Sequence, residues 1–176
     1  GEIETNDKGY IKVNEYLETN VPGVWALGDI VGILPFKHTA NHQAGYLIDN
    51  LFYGKKEPVD YHAIGHAVFS SPQVASVGKT EDDLKLERIP YKVGRAQYSE
   101  TAMGDALKEN GVVKVLTDEN KDEILGCHIV GPDASTLIHE VIIAMKTSGK
   151  TSAIKKSVFI HPALSEVIRN AFYSIE

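Results

Sequence analysis

The sequence predicts an α+β fold: an antiparallel β-sheet flanked by helices, preceded by a strand–loop–helix segment of α/β character. Three observations carry that expectation. Five short runs between residues 66 and 130 have strand-like patterning, two helical stripes of apolar residues follow them, and residues 1–60 carry a separate pattern.

In chain order, residues 9–13 alternate like a short strand. Val21-Pro22-Gly23 signals a turn before Val24-Trp25-Ala26-Leu27, an apolar run closed by Gly28-Asp29. Its length and flanks suit a strand buried on both faces. A glycine-containing loop runs to Pro35. Ala40, Ala44, Leu47, Ile48 and Leu51 then recur at helical spacing from a start near His38, and Gly54 follows as a stop. The polar stretch Gly54-Lys55-Lys56-Glu57-Pro58 marks a boundary, which divides the chain into domains of residues 1–57 and 58–176.

Beyond that boundary, residues 66–70, 74–78, 91–98, 112–116 and 124–130 read as strands, with 118–122 as a turn between the last two. Thr80 followed by Glu81, Asp82 and Asp83 opens a short helix, because a hydroxyl caps free N–H groups and acids suit the positive end of the helix dipole. Leu137, Ile138, Val141, Ile142 and Met145 form one helical stripe, which Gly149 ends. Leu164, Val167, Ile168, Ala171 and Phe172 form another, entered through Pro162 in its first turn, where a missing N–H costs nothing.

Composition narrows the function. The 176 residues carry 24 Asp plus Glu against 18 Lys plus Arg, a formal charge of −6, which argues against a nucleic-acid surface. No apolar run approaches the roughly 20 residues that cross a bilayer, and no cationic stretch leads an apolar one, so a cytoplasmic protein is expected. Cys127 is the single cysteine, so no intramolecular disulfide and no Cys-rich metal cage is possible. It lies in an apolar strand pattern and reads as an inert buried thiol. The chain starts at Gly1 in mid-pattern, as an excised piece would.

Two stretches hold chemistry. In Phe159-Ile160-His161-Pro162-Ala163-Leu164-Ser165-Glu166, an imidazole stands five residues before a carboxylate that could fix its tautomer and stabilise its charged form. On spacing alone, His161 as a helix cap and Glu166 as a solvated acid is the alternative. In Val21 to Asp29, a carboxylate just after a buried strand, beside Gly28, could bind sugar hydroxyls of a nucleotide cofactor, or simply occupy a tight turn. The free N–H groups at the start of the next helix favour partial negative charge on a ligand. His38 and His42, four apart, share a helix face, but no third ligand is near and no metal site is expected.

Together these motifs resemble the C-terminal portion of the flavin-dependent pyridine nucleotide–disulfide oxidoreductases, the family of dihydrolipoamide dehydrogenase, glutathione reductase and mycothione reductase. Val21 to Asp29 is similar to the family's second FAD motif, in which the Asp binds the ribityl chain. His38-Thr39-Ala40 falls where the family starts the helix facing the flavin pyrimidine edge. Ser71-Pro72-Gln73-Val74-Ala75-Ser76-Val77-Gly78 resembles the opening of the interface domain, and Leu125-Gly126-Cys127-His128-Ile129-Val130-Gly131 its later strand. His161-Pro162 with Glu166 matches the catalytic acid–base pair.

The resemblance implies that residues 1–57 end an FAD-binding domain and residues 58–176 form the dimerisation domain. It implies FAD bound through Gly28, Asp29, His38, Thr39 and Ala40, and NAD(P) bound through a domain absent from this chain. It also implies a homodimer acting on a small dithiol or disulfide, or on a lipoyl domain, in which His161 serves the partner subunit's thiol. No Gly-x-Gly-x-x-Gly and no Cys-x4-Cys occurs in the sequence, so the piece alone is expected to be inactive in electron transfer. Dihydrolipoamide dehydrogenase ranks first, although Phe159 stands where that enzyme usually has His. A mycothione or glutathione reductase-like enzyme, or a non-catalytic dimerisation module, are the alternatives.

Overall fold

In the computed structural model, which describes residues 2–175, the strands form at His66–Val68 (β1), Val74–Gly78 (β2), Tyr91–Gln97 (β3), Val112–Asp118 (β4) and Ile124–Val130 (β5). They build one antiparallel sheet in the order β1-β2-β5-β4-β3. β1 is shorter than the expected 66–70, because the chain leaves the ladder ahead of Ser71-Pro72, and a proline has no N–H to give it. β4 runs two residues past 116, through a register shift at Leu116/Thr117.

The helices are Lys37–Phe52 (α1), Glu81–Glu87 (α2), Ala102–Leu107 (α3), Ala134–Thr147 (α4), Thr151–Lys155 (α5) and Glu166–Tyr173 (α6). Thr80 caps α2 through a reciprocal pair: its hydroxyl accepts from the Asp83 N–H at 3.1 Å, and Asp83 Oδ2 accepts from the Thr80 N–H at 2.8 Å. Asp118 Oδ1 accepts from the N–H groups of Asn120 and Lys121, both at 2.9 Å, and thereby closes the β4–β5 turn.

The chain divides into two compact units, Gly1–Tyr61 and His62–Glu176. In the second, one face of the sheet supplies Ala75, Val77, Val113, Val115, Cys127 and Ile129 to the core. Leu137, Ile138, Val141, Ala144 and Met145 from α4, and Val167, Ile168, Ala171 and Phe172 from α6, pack against them. Full burial of each large aliphatic side chain contributes about 1.5–3 kcal/mol, so these two stripes anchor their helices. Leu164, expected inside the last helix, instead precedes it. Residues 163–168 are linked by i→i+3 bonds, from Glu166 N–H to Ala163 O at 3.3 Å and from Val167 N–H to Leu164 O at 3.0 Å. The α-helix proper therefore starts at Glu166, and Pro162 lies in the tight turn ahead of it rather than in its first turn.

In the first unit, α1 begins one residue before His38 and ends at Phe52, ahead of Gly54. The two expected strands are reduced to single bridges, Thr5 with Ile11 and Glu18 with Trp25. A buried strand needs ladders on both sides, and the described residues of this unit supply only those antiparallel bridges. Its buried face on α1 is also not the apolar stripe: Ile48 and Leu51 are exposed, whereas Thr39 and Gln43 are buried. Gln43 is satisfied there, accepting from the Gly28 N–H at 2.6 Å and donating to the Tyr61 hydroxyl at 2.9 Å.

Candidate active site

The turn before α6 brings His161 and Glu166 together. The structure places Nδ1 of His161 3.0 Å from Oε2 and 3.2 Å from Oε1 of Glu166. An ionised carboxylate only accepts hydrogen bonds, so Nδ1 donates and the lone pair of the neutral ring lies on Nε2. The two side chains differ sharply in exposure: Glu166 is 8% exposed and His161 68%. The carboxylate is thus shielded while the ring reaches solvent.

Glu166 is the first residue of α6, where the helix dipole favours negative charge. Its Oε2 also accepts from the Ala163 N–H at 3.2 Å, and its Oε1 from the Arg169 guanidinium at 3.3 Å. The Ala163 bond first, then the His161 bond, hold this carboxyl below the usual carboxylate range. With an ionised acceptor at Nδ1, the exposed imidazole can take up a proton at Nε2, and the carboxylate stabilises the resulting imidazolium. Apolar residues flank the ring in the chain: Val158 and Ile160 are 99% and 79% exposed.

Arg169, which the sequence reading did not single out, and Phe159 complete the group. The guanidinium lies over the Phe159 ring, 5.7 Å from its centroid. The Glu166–Arg169 spacing of three on a helix was the available signal.

The remaining expected residues all belong to the first unit. Gly28 opens a 3-10 turn through Val31 with φ +79°, a conformation that suits glycine, and Asp29 on that turn is exposed. His38, Thr39 and Ala40 lie in the first turn of α1. The residue before that turn, Phe36, offers no side-chain cap hydrogen bond. His38 stacks on Phe36 at 5.4 Å. Thr39 is buried with its hydroxyl unpartnered. His42 Nε2 bonds to the Asp60 carbonyl at 2.7 Å, and no cluster of three metal-ligating side chains exists among the described residues. Nor, among them, is any helix long and apolar enough to cross a membrane.

Comparison with known proteins shows the family and the fold. Residues 64–172 match the model of the pyridine nucleotide-disulphide oxidoreductase dimerisation domain, and residues 1–44 match the pyridine nucleotide-disulphide oxidoreductase model. The chain is 37% identical over 170 residues to dihydrolipoyl dehydrogenase 1, mitochondrial, of Arabidopsis thaliana, covering 96% of this chain and 33% of that protein. It is 37% identical over 177 residues to the dihydrolipoyl dehydrogenase of Cupriavidus necator, covering 99% of this chain and 37% of that one. In fold it is similar to LpdA from Mycobacterium tuberculosis, with a TM-score of 0.89 at 21% identity, over 98% of this chain and 38% of that one. The chain spans about a third of the length of the curated relatives it matches.

Proposed function

The chain belongs to the pyridine nucleotide-disulphide oxidoreductase family, and on that premise we propose that it is part of a dihydrolipoyl dehydrogenase-like enzyme. That enzyme moves electrons between NAD(P)H, FAD, an active-site disulfide and a dithiol or disulfide substrate. The observation that carries the reading is the His161–Glu166 pair, with Nδ1 bonded at 3.0 Å and no hydrogen bond to Nε2 among the described residues.

The residues of the first unit fit a flavin dinucleotide. Asp29 offers an exposed acceptor for the hydroxyls of a polyol chain, and Gly28 allows close backbone approach. The N-terminal turn of α1 at His38 and Thr39, with the helix dipole behind it, suits a carbonyl-bearing ring edge, Ala40 lies one residue on, and the unpartnered Thr39 hydroxyl awaits an acceptor or donor. The chemistry such a group supplies when bound is two-electron exchange between a dithiol pair and a nicotinamide.

His161 takes the proton of the attacking substrate thiol at Nε2, because the thiolate is the reactive species. In the reverse direction it returns that proton to the leaving thiolate. Glu166 holds the ring in the tautomer that leaves Nε2 unprotonated and balances the charge once it is protonated. The working form is a homodimer in which His161 faces the partner subunit's disulfide. The exposed Val158 and Ile160 beside His161 support burial of this segment against a second copy.

The test is made on the full-length enzyme with lipoamide, glutathione disulfide and mycothiol disulfide, which also identifies the substrate. His161→Gln should lower the thiol half-reaction by roughly 10²–10⁴ while NADH-to-dye transfer persists. Equal losses in both half-reactions would overturn the assignment.

A further inference from the structure

We propose that Arg169 is a positioning residue: clamped on the Phe159 ring, it fixes the Glu166 carboxylate so that His161 keeps its proton on Nδ1. This rests on the acid–base reading of His161 above. Three donors share the two oxygens of Glu166. Oε2 takes the Ala163 N–H at 3.2 Å and His161 Nδ1 at 3.0 Å, whereas Oε1, 3.2 Å from the same Nδ1, takes Arg169 at 3.3 Å. The terminal torsion of a glutamate is broad and two-fold, so nothing in the side chain itself selects this plane. The Ala163 N–H and the helix dipole already favour the ionised form. What Arg169 adds is direction.

An ion pair with an exposed arginine ordinarily fixes little, because ordering the long side chain cancels the gain. Here the arginine is itself held. Its guanidinium lies 5.7 Å from the centroid of Phe159, a ring packed against the hydrophobic core, and it also donates to Asn170 Oδ1 at 3.4 Å. The order of support therefore runs from the core to Phe159, then Arg169, Glu166 and His161. A lysine would bring the charge without the planar fork that spans ring and carboxylate.

The tautomer of His161 reads this out directly. Nitrogen-15 shifts and couplings of the imidazole are measured on this chain at alkaline pH, where the spectrum itself shows the neutral ring. The parent should be mainly the Nδ1–H form. In Arg169→Met the Nδ1–H to Nε2–H ratio should fall roughly two- to tenfold, the range one hydrogen bond is worth, and Arg169→Lys should recover part of it. A parent-like ratio in Arg169→Met, with Glu166→Gln shifted, overturns the inference and leaves the dyad standing. An unshifted ratio in Glu166→Gln overturns the dyad reading itself. Should Arg169→Met fail to fold, Phe159→Leu decides: a lowered ratio supports the clamp and an unchanged one overturns it.

Discussion

The imidazole Nδ1 of His161 and the carboxylate Oε2 of Glu166 lie 3.0 Å apart across a turn of five residues, with the acceptor buried and the ring exposed. Because the Ala163 N–H and the His161 ring depress the Glu166 carboxyl below its ordinary value of 4.5, its ionised form stabilises the fold. That contribution is complete above 4.5 and is lost as pH falls through the lower folded-state value.

Glu166→Gln should accordingly destabilise the chain at pH 7, and the gap to the parent should close as pH drops below 4.5. Urea midpoints of both proteins across the acid range check this. A gap that is independent of pH would contradict it.

Glu140 on α4 behaves in the opposite sense. Burial pushes its carboxyl up to about 7, so the folded chain retains a proton that the unfolded chain releases near 4.5. Stability should fall as pH rises between those values and level off above 7. Glu140→Gln removes that loss: above pH 7 the variant should be the more stable by about 1–2 kcal/mol, and at pH 4 the two should agree. Denaturant titrations at the two pH values measure the difference.

Two glycines should respond in opposite directions. A Cβ on Gly94 of β3 would stand 2.0 Å from the Ala171 carbonyl oxygen of α6, so strand and helix must part. Gly94→Ala should cost about 3 kcal/mol or more. A Cβ on Gly45 of α1 meets nothing within 4 Å, so Gly45→Ala should stabilise the helix by about 0.5–1 kcal/mol. Thermal unfolding of both variants against the parent tests the pair.

Cys127 is fully buried on β5, and burial, with Glu140 adding to it, pushes its thiol up. The native chain should therefore leave a thiol reagent unreacted at pH 8 and consume one equivalent only in denaturant, as an absorbance titration would show. Stoichiometric reaction in native buffer would contradict the burial.

Much of this was legible in the residues. Thr80 with Asp83 announced α2, the stripes on α4 and α6 announced the core, and β2 and β5 ended where the glycines and turn residues said. Local chemistry acts over three to five residues, and these features are of that range. The first unit was less legible. Val24 to Leu27 has the composition of a buried strand, but a strand exists only through its neighbours, and here Trp25 makes a single bridge. Gln43 was invisible for a related reason: a polar side chain becomes a core residue only when distant partners, here Gly28 and Tyr61, satisfy it.

For the site, the sequence by itself determined which groups are present and their order: an imidazole, a proline, a carboxylate and an arginine within nine residues. Only the tertiary structure decided their relation. Were residues 161–166 one regular helix, a spacing of five would set His161 and Glu166 about 140° apart around it. The tight turn that delays α6 to Glu166 folds them onto one side instead. Packing of α6 on the core then buries the carboxylate while the ring stays in solvent, and that difference in burial is a property of the fold, not of either residue.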